Sequence, residues 1–167
     1  MTVNSGLMIA LFILIATSLA AGYGFGVKAQ RFPFTAAIGF NEQQMQFLKS
    51  WVKLALAVGI LLPIALLVQA WGQPEAVTFW VSYLLVVAIQ LASERVFSLW
   101  LVPSVVVPIG LFYTLFRLWQ LLDAFPHLLL SGLALVGFAA ITLFWAANVV
   151  MLTTMAIPTI YSAPETG

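Results

Sequence analysis

Few side chains in this sequence have the types and spacing that a binding site would use. Tyr83, Gln90 and Glu94 are separated by seven and four residues, which places them on one face of a helix. Arg117 is the best available cation for this face, because adjacent residues on a helix do not face each other and Arg95 therefore points away from Glu94. We expect an ion pair between Glu94 and Arg117, and a ligand or proton site is the alternative interpretation.

His127 is the only histidine, and it follows Pro126 at the predicted start of a helix. A haem held by two histidines or a zinc site would need ligands that this sequence lacks. One imidazole nitrogen can still be the axial ligand of a chlorophyll-type magnesium if it faces a flat apolar slot. We consider both an interfacial side chain and a pigment ligand for His127, and favour the interfacial side chain.

The sequence offers no recognisable set of catalytic groups. It has no Cys, no Ser-His-Asp set, no His-Glu-x-x-His motif and no carboxylate cluster, so hydrolysis of phosphate, peptide or glycosidic bonds lacks the groups it needs. The net charge is only +1, and no run of like charges suits a polyanion. We therefore expect a protein that is not an enzyme, has no metal site and binds no nucleic acid.

The composition indicates that membrane helices position these residues. Hydrophobic residues make up 63% of the chain and charged residues 7%, whereas soluble domains carry about 25% charged residues. At about 20 residues for each span, the 167 residues have room for four or five spans. We expect one transmembrane domain over residues 1–167.

Apolar runs predict spans at about residues 7–21, 51–71, 76–93 and 128–151. A signal peptide is the alternative for the first run, but no Lys or Arg precedes it, so a retained span is expected. Asn41 and Gln44 form a capping-box pattern before the second run. Pro63 should kink that run, because it cannot donate a hydrogen bond to the carbonyl of Gly59. Trp51 and Trp71 bracket the run and suit the two interfacial belts, where an indole N–H can stay hydrated.

The segment at about residues 96–123 has two interpretations. Hydropathy allows a fifth span, whereas Pro103, Pro108 and a polar stripe predict an amphipathic helix in the membrane interface. The members of the stripe recur every three or four residues: Gly110, Thr114, Arg117, Gln120 and Asp123. The positive-inside rule favours the interfacial helix, because a fifth span would leave Arg117 outside. We predict an all-α, integral membrane four-helix bundle plus one in-plane or re-entrant amphipathic helix, with a non-cytoplasmic N-terminus.

The region from Gln90 to Trp119 resembles a family of membrane proteins. Gln90-Leu-Ala-Ser-Glu94, then Pro103 and Pro108, then Phe112-Tyr-Thr-Leu-Phe-Arg117-Leu-Trp resemble a poorly characterised family of small tetraspan membrane proteins from photosynthetic organisms. In that family a similar Ser-Glu pattern precedes a Pro-containing segment and an aromatic and basic helix. This sequence has one Arg where the family has a basic pair. The resemblance implies a photosynthetic membrane, such as the thylakoid, and no activity.

Two functions fit these observations. We expect a non-catalytic subunit, or an assembly or stabilising factor, of a larger membrane complex, plausibly a photosynthetic one. Its partners would be other integral membrane subunits and lipid, and the cofactor is unknown, with chlorophyll, carotenoid or bound lipid as candidates. The alternative is a small homo-oligomeric transporter or carrier of a lipid or hydrophobic ligand, built around the polar face of Tyr83, Gln90 and Glu94.

Overall fold

The computed structural model describes residues 3–128, 130 and 132–161, with side chains from residue 6 onward, and within these ranges the chain is helical without a β-strand. The all-α class is therefore confirmed. The α-helices are α1 Val3–Lys28, α2 Glu42–Leu56, α3 Leu62–Gln69, α4 Pro74–Trp100, α5 Val106–Ala124 and α6 Gly132–Met151.

Five helical stretches in the described ranges are long and apolar enough to cross a membrane. They are Gly6–Lys28, Glu42–Gln69, Pro74–Trp100, Pro103–His127 and Gly132–Ile160. An integral, multi-pass membrane protein is consistent with this result. The four-plus-one arrangement is not confirmed, because the segment predicted to lie in the interface is itself one of the five candidates.

The second stretch, Glu42–Gln69, is one continuous helical rod whose middle departs from α-helical geometry. Its start is the predicted capping box, in which Asn41 Oδ1 accepts a hydrogen bond from the Gln44 N–H (2.8 Å) and Gln44 Oε1 accepts one from the Asn41 N–H (3.0 Å). The predicted disturbance at Pro63 takes the form of a π-helical segment, Ala57–Leu61, which joins α2 to α3. Single π-turns of this type occur frequently at functional sites.

The helices run alternately between two ends of the bundle. At one end, which we call the basic end, the Lys28 ammonium donates to the Trp100 carbonyl (3.3 Å) and Phe34 forms a β-bridge with Tyr161. At the other end, which we call the cavity end, Gln73 from the α3–α4 turn and Leu130 from the α5–α6 connection line the same cavity. Each of the five stretches therefore begins at one end and finishes at the other.

The stretch that contains α5 is the most enclosed of the five. Half of the apolar window of Pro103–His127 is buried, against 17% for Gly6–Lys28 and for Glu42–Gln69. Its polar stripe faces neighbouring helices, since Thr114, Arg117 and Gln120 are at most 4% exposed. An in-plane helix would turn such a stripe toward water, and only Asp123 at the cavity end is exposed.

Candidate functional site

Tyr83 connects three helices at the irregular part of the α2–α3 rod. Its hydroxyl donates to the carbonyl of Gly59 (3.2 Å), the group to which Pro63 has no N–H to offer. The Trp145 indole N–H in turn donates to the Tyr83 oxygen (2.6 Å). The phenol is fully buried and joins α4 to the α2–α3 rod and to α6.

Gln90 lies between the two charged residues of the predicted ion pair. The Arg117 guanidinium donates from Nη2 to Gln90 Oε1, and Gln90 Nε2 donates to Glu94 Oε1. The other two guanidinium nitrogens of Arg117 have no hydrogen-bond partner, so Arg117 does not bond to Glu94 directly. The structure therefore brings together the residues that the sequence singled out, but it replaces the expected direct contact by an amide bridge.

Trp145 also supports the guanidinium. Arg117 Cζ lies 4.1 Å from the centroid of the Trp145 ring, which is a cation–π distance. The ring face of Trp145 therefore holds Arg117 while its N–H holds Tyr83. Sequence reasoning missed this role of Trp145, because contacts between distant helices leave no local periodicity.

A second polar chain connects α2, α6 and α5. The Trp51 indole N–H donates to Asn148 Oδ1 (2.7 Å), the Asn148 amide donates to Thr114 Oγ1 (2.9 Å), and the Thr114 hydroxyl donates to the Gly110 carbonyl (2.7 Å). The expected hydration of the Trp51 N–H is wrong, because Asn148 offers this donor an acceptor inside the bundle. The interfacial depth of Trp51 stays a prediction. Such side-chain bonds commonly hold membrane helices together.

Five buried polar atoms of α5 have no hydrogen-bond partner in the described part of the chain. They are the Tyr113 hydroxyl, Nε and Nη1 of Arg117, and both amide atoms of Gln120. Spacings of four and three place the three residues on one helix face, which we call the unpaired face. Tyr113 was missed as a site residue, although it lies one turn before Arg117 on the same face.

Because the unpaired face is buried, its unsatisfied hydrogen-bonding atoms destabilise the fold. Arg117 lies 14 residues after Pro103 and 10 residues before His127, so it is near the middle of its stretch, about 21 Å from the basic end. An unsatisfied buried polar group costs about 1–3 kcal/mol, and more when it is charged. If this stretch crosses a membrane, an ionisable side chain at this depth is by default an indicator of function. The unpaired face can bind water, an anion or another hydrogen-bonding ligand.

The cavity end contains a cavity that is lined in part by α4. Its volume is about 90 Å³, and its lining includes Gln69, Gln73, Trp80 and Leu130. Trp80 also packs against Tyr83, with 5.8 Å between ring centroids. One aromatic side chain thus contacts both the cavity and the polar network.

The remaining candidate, His127, is not part of the network. It is exposed and lies in the short 3₁₀ turn Phe125–His127 at the cavity end. This is the position expected of an interfacial side chain, and the pigment-ligand role stays a prediction. In the described ranges no three His, Asp or Glu side chains are grouped to hold a metal ion.

Comparisons with protein-family models, with curated proteins and with solved structures find no match to this chain. Its function therefore has to be inferred from its own side chains and their positions.

Proposed function

We propose that all five apolar stretches cross the membrane, with the basic end in the cytoplasm. Cations flank the basic end, where Lys28, Arg31 and Arg95 lie close to helix ends, and Lys49 and Lys53 lie in the helix that begins there. The described part of the cavity end has Glu75 and Asp123 and no Lys or Arg. This distribution follows the positive-inside rule.

The earlier objection to five spans was that Arg117 would be left outside. That objection loses its basis, because Arg117 is buried near the middle of its stretch. Five spans put the N-terminus on the non-cytoplasmic side and the C-terminus in the cytoplasm, whereas the four-plus-one arrangement puts both termini outside. Reporter fusions after Gly167 distinguish the two: a C-terminal reporter active only outside the cytoplasm contradicts the five-span proposal.

We further propose that the protein is a small membrane carrier that binds a polar ligand inside its bundle. The observation that supports this function is Arg117, a buried cation at mid-membrane depth with two nitrogens free of hydrogen bonds. A residue kept only to hold helices together would be expected to have its donors satisfied, because each vacancy destabilises the fold.

The interrupted α2–α3 rod also supports the carrier. Transporter sites tend to lie near the membrane midplane beside interrupted helices. Gly59, in the π-helical segment, accepts a hydrogen bond from Tyr83. Tyr83 in turn accepts a hydrogen bond from Trp145, whose ring supports Arg117. The irregular backbone and the buried cation are thus linked through two side chains.

Flux into reconstituted vesicles tests the carrier. Radiolabelled chloride, formate and glycerol would be the probes, with protein-free vesicles as the baseline and the surface variant Lys49→Gln as the matched control. We expect at least one of the anions to enter faster than the baseline with wild type and Lys49→Gln, but not with Arg117→Gln. Baseline flux of all three probes with wild-type protein would contradict the proposal.

A non-catalytic subunit or assembly factor of a larger membrane complex is the second candidate. Two stretches favour this candidate, Gly6–Lys28 and Glu42–Gln69. Most of their apolar surface is not covered by the other helices of the protein. Lipid or other membrane subunits would cover this surface. The photosynthetic setting, the thylakoid location and a pigment on His127 belong to this proposal through the family resemblance alone.

Blue-native electrophoresis of gently solubilised membranes tests the subunit candidate. Migration only as a small free species would contradict it. The absorption spectrum of the purified protein adds a second readout, since a chlorophyll or carotenoid band that is lost in His127→Leu would support the pigment role.

A further inference from the structure

We propose that the unpaired face of α5 is a binding site for one small anion, with carboxylate chemistry as the best match. This inference rests on the carrier function proposed above and specifies its ligand. The three residues that form the site are Tyr113, Arg117 and Gln120, which are 1%, 1% and 4% exposed.

The first argument is the number of vacant donors. A guanidinium has five N–H donors, and Nε and Nη1 carry three of them. In Arg117 both of these nitrogens lack a partner, and the Tyr113 hydroxyl and the Gln120 amide are also unpaired. Because donors outnumber acceptors on this face, an acceptor-rich ligand would satisfy it best.

The second argument is charge. Arg117 carries a positive charge, and its nearest candidate counter-charge, Glu94, is separated from it by the Gln90 amide. Glu94 is only half-buried, whereas Arg117 is fully buried. An anion at the unpaired face would neutralise the guanidinium at short range, and hydrogen bonds between charged partners are about twice as strong as neutral ones. A cation would be repelled.

The third argument is size. The site lies among packed side chains, with the Phe12 ring 5.0 Å from the Tyr113 ring and the Trp145 ring beneath the guanidinium. These close ring contacts favour a ligand of the size of formate over a bulky polar solute. Access from the cavity end would pass Trp80, the side chain that contacts both the cavity and Tyr83.

Two sources can provide this chemistry, a free short acid in solution or the headgroup of a fatty acid from the lipid. The first arm of the test measures the melting temperature of detergent-purified, delipidated protein in sodium formate and in sodium gluconate at equal concentration. Gluconate has the same charge and the same carboxylate but is too bulky to enter. We expect formate to raise the melting temperature above its value in gluconate, with saturation.

The variants are conservative, so that each is expected to fold and its affinity for formate can be measured. Tyr113→Phe removes one hydroxyl of the site, and Tyr161→Phe removes the same atom from an exposed ring outside the site. We expect the half-saturating formate concentration to increase about tenfold in Tyr113→Phe, since a hydrogen bond to a charged group is lost. Tyr161→Phe should behave as wild type. Arg117→Lys should bind less tightly than wild type, because it keeps the charge but loses the guanidinium donors.

The second arm extracts the protein before delipidation and measures bound fatty acids by mass spectrometry. We expect one bound fatty acid per chain if the lipid is the source. A lower amount in Tyr113→Phe, but not in Tyr161→Phe, would place this fatty acid at the same site. Equal melting temperatures in formate and gluconate together with no bound fatty acid would overturn the inference, as would water alone at the unpaired face in an experimental density map. Anion binding without flux would contradict the carrier function but support the anion site. Flux without anion binding would support the carrier function but contradict the anion site.

Discussion

The Tyr83 hydroxyl lies 3.2 Å from the Gly59 carbonyl, the backbone acceptor that Pro63 cannot serve. The interruption of the α2–α3 rod is therefore part of the polar interior of the bundle. Through Trp145 the same phenol is connected to Arg117, the buried cation near the middle of the α5 stretch. A local feature of one helix is in this way coupled to the candidate ligand site on another.

We predict that Tyr83→Phe destabilises the fold by about 1–3 kcal/mol, because it leaves the Trp145 N–H and the Gly59 carbonyl without their present partner in the interior. Unfolding in mixed detergent with increasing dodecyl sulfate measures the difference. Tyr161→Phe is the control, since Tyr161 is exposed. Equal stability of the two variants would contradict the role given to Tyr83.

Replacing the amide bridge tests the order of the groups around Arg117. Gln90→Leu should destabilise the fold by about 1.5–3 kcal/mol, because the guanidinium loses its hydrogen bond to Gln90. The double variant Gln90→Glu with Glu94→Gln puts the carboxylate next to Arg117 and should be at least as stable as wild type. Stability of the double variant as low as that of Gln90→Leu would show that Gln90 does not bond to Arg117.

The second polar chain makes a prediction that does not depend on Arg117. Trp51→Phe and Asn148→Leu each remove one side of the same hydrogen bond. A double-mutant cycle should give a coupling energy of about 0.6 kcal/mol and at most about 1.7 kcal/mol, the mean and the maximum measured between membrane helices. The same unfolding assay provides the four stabilities. A coupling energy of zero would place the Trp51 indole outside the bundle, in the interfacial belt that the sequence suggested.

Several local features could be predicted from the sequence because each depends on neighbouring residues. The capping box of Asn41 and Gln44, the disturbance at Pro63 and the shared face of Gln90 and Glu94 follow from spacing and from the missing proline N–H. Arg117 and Gln120 of the candidate site could be recognised from their spacing in the polar stripe, whereas Tyr113 could not.

The orientation of α5 could not be predicted, because periodicity identifies a polar stripe without indicating what it faces. In water or at a membrane surface such a stripe would be solvated, and the in-plane interpretation assumed this for Arg117 and Gln120. In the structure the stripe faces other helices, where Gln90 and Trp145 supply partners from distant parts of the chain. Contacts of this kind depend on the tertiary arrangement, and for that reason Tyr113 and Trp145 were overlooked.

The account depends most on whether α5 crosses the membrane and keeps Arg117 inside the bundle. The chain has no Cys, so single cysteines can be introduced without removing native ones. Asp123→Cys is the decisive position, because Asp123 is exposed at the cavity end of α5. Gln73→Cys at the cavity end and Ala37→Cys at the basic end are exposed references.

A membrane-impermeant maleimide applied to sealed, right-side-out vesicles gives the result. The five-span arrangement predicts that Asp123→Cys is labelled together with Gln73→Cys, while Ala37→Cys reacts only after the vesicles are opened. Labelling of Asp123→Cys together with Ala37→Cys, and not with Gln73→Cys, would place α5 on the cytoplasmic side as an in-plane or re-entrant helix and would contradict a mid-membrane site at Arg117.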